Sequence, residues 1–184
     1  MNKKVFMSTA IAITLIGVAL GTYTIADRGK TEPIGEKLAQ TNDIKKLVND
    51  YSMGNAKAKS ASITSNQLTV TTDNDQKLTY GLPRDEFFVS IAPYVSQTHP
   101  CAIHNLAGCQ GEMANTSFNV TVTDHNNKVV IKDVIKSHDN GFIDLWLPRD
   151  QTFHVTIDYD DKNSTSSFTT SEGDNTCITT MQLS

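Results

Sequence analysis

The stretch Thr152-Phe153-His154-Val155-Thr156-Ile157-Asp158-Tyr159 alternates without a break, with Phe153, Val155, Ile157 and Tyr159 on one side and polar groups on the other. Period two is the pattern of a strand with one face buried. Similar segments lie to either side, at residues 87–95, 117–123, 129–136, 142–147, 166–170 and 176–183. Short polar breaks separate them, at 124–128, 137–141, 148–150, 160–163 and 172–175. Strands at this spacing predict an antiparallel sandwich or small barrel over residues 85–184.

Upstream the pattern changes. Ile44, Leu47, Val48 and Tyr51 fall at helical spacing, with Thr41 or Asn42 as the expected N-cap, Asp43 in the first turn and Gly54-Asn55 as the stop. So short a helix needs a surface to pack on. Residues 61–64, 68–72 and 77–82 supply one as three strands, turning at Ser65-Asn66 and Asp73-Asn74-Asp75. The expected fold class is therefore α+β. A small helix-plus-antiparallel-sheet part, residues 36–84, precedes a β-rich, sandwich-like domain, residues 85–184.

The chain opens with Lys3 and Lys4, and then an apolar run from Val5 to about Leu20. A basic start followed by an apolar core reads as an export signal over residues 1–26. Small-residue cleavage sites end at Gly21 and Ala26, and the run 5–26 is also about long enough to tether the chain to a membrane. Residues 27–35 read as a linker. Location is thus exported, either periplasmic or extracytoplasmic and membrane-anchored. Beyond the signal the chain keeps 14 basic and all 20 acidic side chains. A mildly acidic surface without basic clusters argues against nucleic acid as a partner.

Three cysteines in an exported chain leave one thiol over after pairing. Two lie in Thr98-His99-Pro100-Cys101-Ala102-Ile103-His104-Asn105-Leu106-Ala107-Gly108-Cys109, which also holds two of the five histidines. Thiolate and imidazole are the donors that soft and borderline metals prefer. A turn through this spacing can aim both donor types into one pocket, with Pro100 stiffening the approach and Gly108 letting the backbone bring Cys109 back. Soft Cu(I) suits such a set, and Cu(II) accepts imidazole. Zinc comes second, because the paired C-x2-C spacing of common zinc modules is absent.

A structural alternative stands beside the metal site. A Cys101–Cys109 disulfide would close a nine-residue loop and contribute roughly 2.5 kcal/mol, as a staple in an extracellular β-sandwich interaction module. The redox reading joins the two: a dithiol that becomes a disulfide gives up two electrons, enough to reduce two Cu(II) ions. Cys177 falls in the last expected strand, on one face with Thr179, Met181 and Leu183, where a cysteine also serves as a small buried apolar group.

The segment Phe87-Phe88-Val89-Ser90-Ile91-Ala92-Pro93-Tyr94, running into Thr98-His99-Pro100-Cys101 and followed by His104, Cys109, Gly111 and Glu112, resembles the CueP family of periplasmic copper-binding proteins. Gly141-Phe142, Asp144-Leu145-Trp146-Leu147-Pro148-Arg149 and Thr176-Cys177-Ile178-Thr179-Thr180 resemble it as well. The likeness covers about residues 86–184. It implies copper bound through Cys101, Cys109, Cys177, His99 and His104, thiol reduction of Cu(II) to Cu(I), and a role in copper resistance or in supplying copper to envelope proteins. A copper-accepting envelope protein and a thiol–disulfide reductase are the further partners it implies.

Other residues carry plainer expectations. His125, His138 and His154 read as surface groups, Met113 and Met181 as packing, and Trp146 as a core or domain-contact residue. Glu112 is placed to position a loop backbone or a histidine. No catalytic residue is assigned, because no phosphate loop, nucleophile elbow or Ser-His-Asp order is present. The absence of C-x-x-C removes support for a thiol oxidoreductase acting on proteins.

Overall fold

A computed structural model describes residues 43–184. The export signal or anchor, the linker and the expected caps Thr41 and Asn42 lie outside the described residues. No helix among the described residues is long and apolar enough to cross a membrane.

Helix α1 runs Ile44–Ser52 and is capped by Asp43, whose carboxylate accepts the Lys46 amide at 2.8 Å. Asp43 therefore stands one position outside the first turn expected for it, because a short carboxylate satisfies an orphan amide best from the cap. The expected stripe holds: Val48 is buried, and Ile44, Leu47 and Tyr51 pack around it.

Strands β1 (Ser60–Ile63), β2 (Gln67–Thr71) and β3 (Lys77–Gly81) form the antiparallel sheet beside this helix. A fourth strand, β5 (His104–Asn105), joins β1 out of the cysteine-bearing loop, pairing Ile63 with His104. Strand β4 (Glu86–Ile91) enters a second sheet before that loop begins.

The expected β-rich region resolves into two sheets. One has four antiparallel strands in the order β10-β9-β6-β7, namely β10 (Lys162–Thr169), β9 (Thr152–Tyr159), β6 (Ser117–Asp124) and β7 (Val129–Lys136). The other places β4 between β8 (Ile143–Pro148) and β11 (Cys177–Ile178). Between these sheets lies the main core, with Phe87, Val89 and Ile91 of β4 meeting Phe118, Val120 and Val122 of β6 and Phe153, Val155 and Ile157 of β9. The opposite face of β4 sends Phe88 into the cluster of Val48, Ile63, Leu68 and Val70. A strand covered on both faces reads as one apolar run, which is why residues 87–91 show no alternation.

So α+β describes the molecule in a coarse sense, one short helix among β-sheets. Two details differ from expectation at the C-terminal end. Residues 176–183 do not make one antiparallel strand. Only Cys177–Ile178 ladder, and they do so parallel to β4, with Cys177 opposite Ser90. The chain then turns, the Gln182 amide reaching the Thr180 carbonyl, before Tyr94 and Gln182 bridge. That turn breaks the period of two. Ile178, Met181 and Leu183 face the main core, while Cys177 faces a separate cluster with Ala92 and Phe142.

Candidate functional site

The cysteine loop leaves β4 and returns to β1, and three anchors fix its path. The Glu112 carboxylate accepts the backbone amides of Val95 at 2.7 Å, Ser96 at 2.9 Å and Gln97 at 3.2 Å. These bonds hold its carboxyl below the usual range, the Ser96 amide foremost. Thr98 donates its hydroxyl to the Thr179 carbonyl at 2.6 Å, tying the loop to the C-terminal segment. Farther on, Asn105 Oδ1 accepts the amides of Ala61 and Ala107, and the Asn105 carbonyl accepts those of Gly108 and Cys109. This tight turn returns Cys109 toward Cys101. A Cβ on Gly108 would come within 2.9 Å of the Asn105 side chain, so glycine serves close approach here.

Cys177 arrives by the parallel ladder on β4, and its amide and that of Thr176 both point to the Ala102 carbonyl. This seats Cys177 against Cys101 with a Cα–Cα separation of 5.6 Å, and the two form a disulfide across 76 positions of sequence. The expected alternative, a Cys101–Cys109 bond, is corrected by this pairing. Cys109 is the free cysteine, its sulfur 3.8 Å from that of Cys101. The local turn brings Cys109 within reach, but the ladder sets Cys177 in bonding position.

His104 occupies β5 and is wholly buried. Its amide donates to Thr176 Oγ1, which in turn donates to the Ile63 carbonyl at 2.6 Å. The imidazole lies tilted against the Phe142 ring, centroids 4.3 Å apart and planes at 49°, with Nδ1 3.6 Å from the Cys177 sulfur and Nε2 without a hydrogen-bond partner. Burial pushes its pKa down to about 4 against the pull of Asp144, so the ring is neutral at physiological pH. A neutral imidazole is the form that binds metals. His99 is half-buried and meets the other side of the site, its ring edge-on to Phe142 at 6.3 Å.

All five expected residues therefore converge, and they do so as two groups that share one sulfur. His99, Cys101 and Cys109 bring their donor atoms within 4.8 Å of one another at the half-buried rim. Cys101, His104 and Cys177 do the same in the interior. A cavity of about 380 Å³ opens beside Cys101 and Cys177, between β10 and residues 173–180.

Behind the site lies a polar cluster that the sequence reading passed over. Asp144, on β8 opposite Ser90, accepts hydroxyl bonds from Ser90 at 2.6 Å and Ser52 at 2.5 Å. His138, expected at the surface, is instead half-buried with Nε2 3.5 Å from Asp144. Burial of Asp144 favours its neutral form, yet the hydrogen bonds from His138, Ser52 and Ser90 together hold it ionised, below the usual carboxylate pKa. The same contact raises the His138 pKa. The signal was thin: one aspartate in an apolar strand, whose partners lie 92, 54 and six positions away.

His125 is exposed, and His154 bonds Ser167. Met113 and Met181 pack on the main core as expected. Trp146 meets Phe88 edge-on at 5.2 Å, and Lys45 sits over its ring.

Residues 44–182 match the family described as periplasmic copper-binding protein CueP. A solved structure, the crystal structure of S.CueP, superposes with a TM-score of 0.72 at 38% sequence identity, covering 78% of this chain and 90% of that one. No curated protein matches the chain. The converging cysteines and histidines sit inside the matched region, and this chain belongs to the CueP family of periplasmic copper-binding proteins.

Proposed function

We propose that the protein captures copper through Cys101, Cys109, Cys177, His99 and His104, reduces Cu(II) to Cu(I) with its thiols, and serves copper resistance or delivery in the cell envelope. The observation that carries this reading is the pair of Cys/His groups meeting at Cys101, one at the rim and one inside. Soft thiolates and neutral imidazole favour Cu(I) in a low-coordinate site. In the redox step, two thiols each lose a proton and together pass two electrons to two Cu(II) ions, leaving one disulfide and two Cu(I). The Cys101–Cys177 bond is the state such a dithiol reaches after that transfer. Returning it to the dithiol calls for a reducing partner, a thiol–disulfide reductase, and releasing Cu(I) calls for an envelope acceptor. Export through residues 1–26, by cleavage or by tethering, puts the site where both would be met.

Anaerobic titration of the fully reduced protein with Cu(I), against a competing chelator, tests capture. Wild type is expected to hold Cu(I) tightly, and Cys177→Ser to hold it at least tenfold more weakly. Equal affinity in the two proteins would remove Cys177 from the site. Adding Cu(II) to the reduced protein is expected to consume one thiol per Cu(I) formed. Unchanged thiol counts would rule out reduction.

A further inference from the structure

We infer that Cys109 exchanges into the Cys101–Cys177 disulfide, so that the protein carries its one free thiol alternately at the rim, on Cys109, and in the interior, on Cys177. Three placements support this. The Cys109 sulfur lies 3.8 Å from Cys101, so the target of attack is the Cys101 end of the bond. Both Cys101 and Cys109 are half-buried on the loop and within reach of side-chain rotation, since a disulfide requires closing the remaining gap of about 2 Å. The leaving sulfur, Cys177, already has a partner in the interior, the Nδ1 of His104 at 3.6 Å.

The step balances within the chain. Cys109 gives up its thiol proton and bonds to the Cys101 sulfur. The Cys101–Cys177 bond breaks, its electron pair leaves on Cys177, and that sulfur takes up a proton. One disulfide and one thiol stand on each side, so neither oxidant nor reductant is consumed.

Cys101 is the pivot because it alone belongs to both donor groups. With Cys101 bonded to Cys177, the free thiol lies beside His99. With Cys101 bonded to Cys109, it lies beside His104. Exchange therefore moves a thiol–imidazole pair between a half-buried and a buried setting without unfolding the sheets. The inference goes beyond copper capture and does not depend on it, since exchange is a reaction of the metal-free protein.

The test uses the full oxidised chain, freed of metal by a chelator and incubated at pH 7. Acid stops exchange, the free thiol is capped, and chymotryptic cleavage at Leu106 separates Cys101 from Cys109. Mass spectrometry then identifies the linked peptides. The expected result is both linkages, Cys101–Cys177 and Cys101–Cys109, from one preparation, with the cap divided between Cys109 and Cys177. The Cys101–Cys177 linkage alone, or a Cys109–Cys177 linkage in place of the second, overturns the inference. The oxidised variants Cys109→Ser and Cys177→Ser provide the references and are expected to form one intrachain disulfide each. Failure of Cys177→Ser to form one while it remains folded by circular dichroism also overturns it. Loss of copper binding with both linkages present would count against the proposed function and leave the exchange intact.

Discussion

The imidazole of His104 lies against the ring of Phe142, centroids 4.3 Å apart, with no part of the histidine open to solvent. Its pKa falls from the ordinary 6.5 to about 4, chiefly because burial penalises the charged ring. Between those values the unfolded chain binds a proton that the folded chain refuses. Stability is therefore expected to fall as the pH drops from about 6.5 toward 4, by on the order of 3 kcal/mol from this residue. Urea unfolding at pH 7 and pH 5, in wild type and His104→Gln, checks this. A His104 NMR titration midpoint near 6.5 would overturn it.

Asp144 ties α1, β4 and His138 together from one buried carboxylate. Asp144→Asn keeps the shape but removes the charge, and is expected to cost on the order of 2 kcal/mol. The His138 pKa, raised by its contact with Asp144, should fall in the variant. A raised histidine pKa stabilises the fold fully below the unfolded value and loses that contribution as the pH climbs through the folded one. The variant should therefore lose most at mildly acidic pH. An unmoved His138 titration would sever the link between the two residues.

Gly141 sits at φ +79 with its α-carbon over the Gly111 backbone, where a Cβ would lie 2.6 Å from the Gly111 carbonyl oxygen. No side chain can yield at that contact, since both partners are backbone. Gly141→Ala is expected to lose at least about 2 kcal/mol, from the left-handed conformation and the clash together. Because Phe142 follows directly, copper binding should weaken as well. Thermal unfolding combined with Cu(I) titration checks both. A stability equal to wild type would show that the two loops are free to separate.

Glu112 holds three successive amides of the loop leading to His99 and Cys101. In Glu112→Ala, the amides of residues 95–97 are expected to exchange hydrogen at least tenfold faster, with β4 and β9 unchanged. Because its carboxyl titrates below the usual range, wild-type protection should persist into mildly acidic solution and fade as the pH passes through that lowered value. Equal exchange in the two proteins would remove Glu112 from the loop's support.

Much of this layout is written locally. The alternation at 152–159 and the helical spacing of Ile44, Leu47, Val48 and Tyr51 depend only on neighbours in the chain, and both elements form where the pattern puts them. The loop from His99 to Cys109 likewise displays its donors in one short stretch. Cys177 is different. Nothing in its surroundings distinguishes a buried cysteine from a bonded one, and the family resemblance brought it to the loop before geometry could. The misreading of its face came from extending period two past Thr179, where the chain turns.

By itself, the sequence determined the helix, most of the strands, an odd cysteine count and a loop rich in thiol and imidazole donors. The tertiary structure decided which cysteines bond, that His104 is buried and neutral while His99 stays at the rim, and that Asp144 draws His138 inward. The physical reason is distance along the chain. Local patterns record which face of an element meets the core, but the parallel ladder of Cys177 on Ser90 sets up a disulfide between residues 76 positions apart. Burial of His104 needs Phe142 beneath it and Thr176 alongside, and no short segment contains all three.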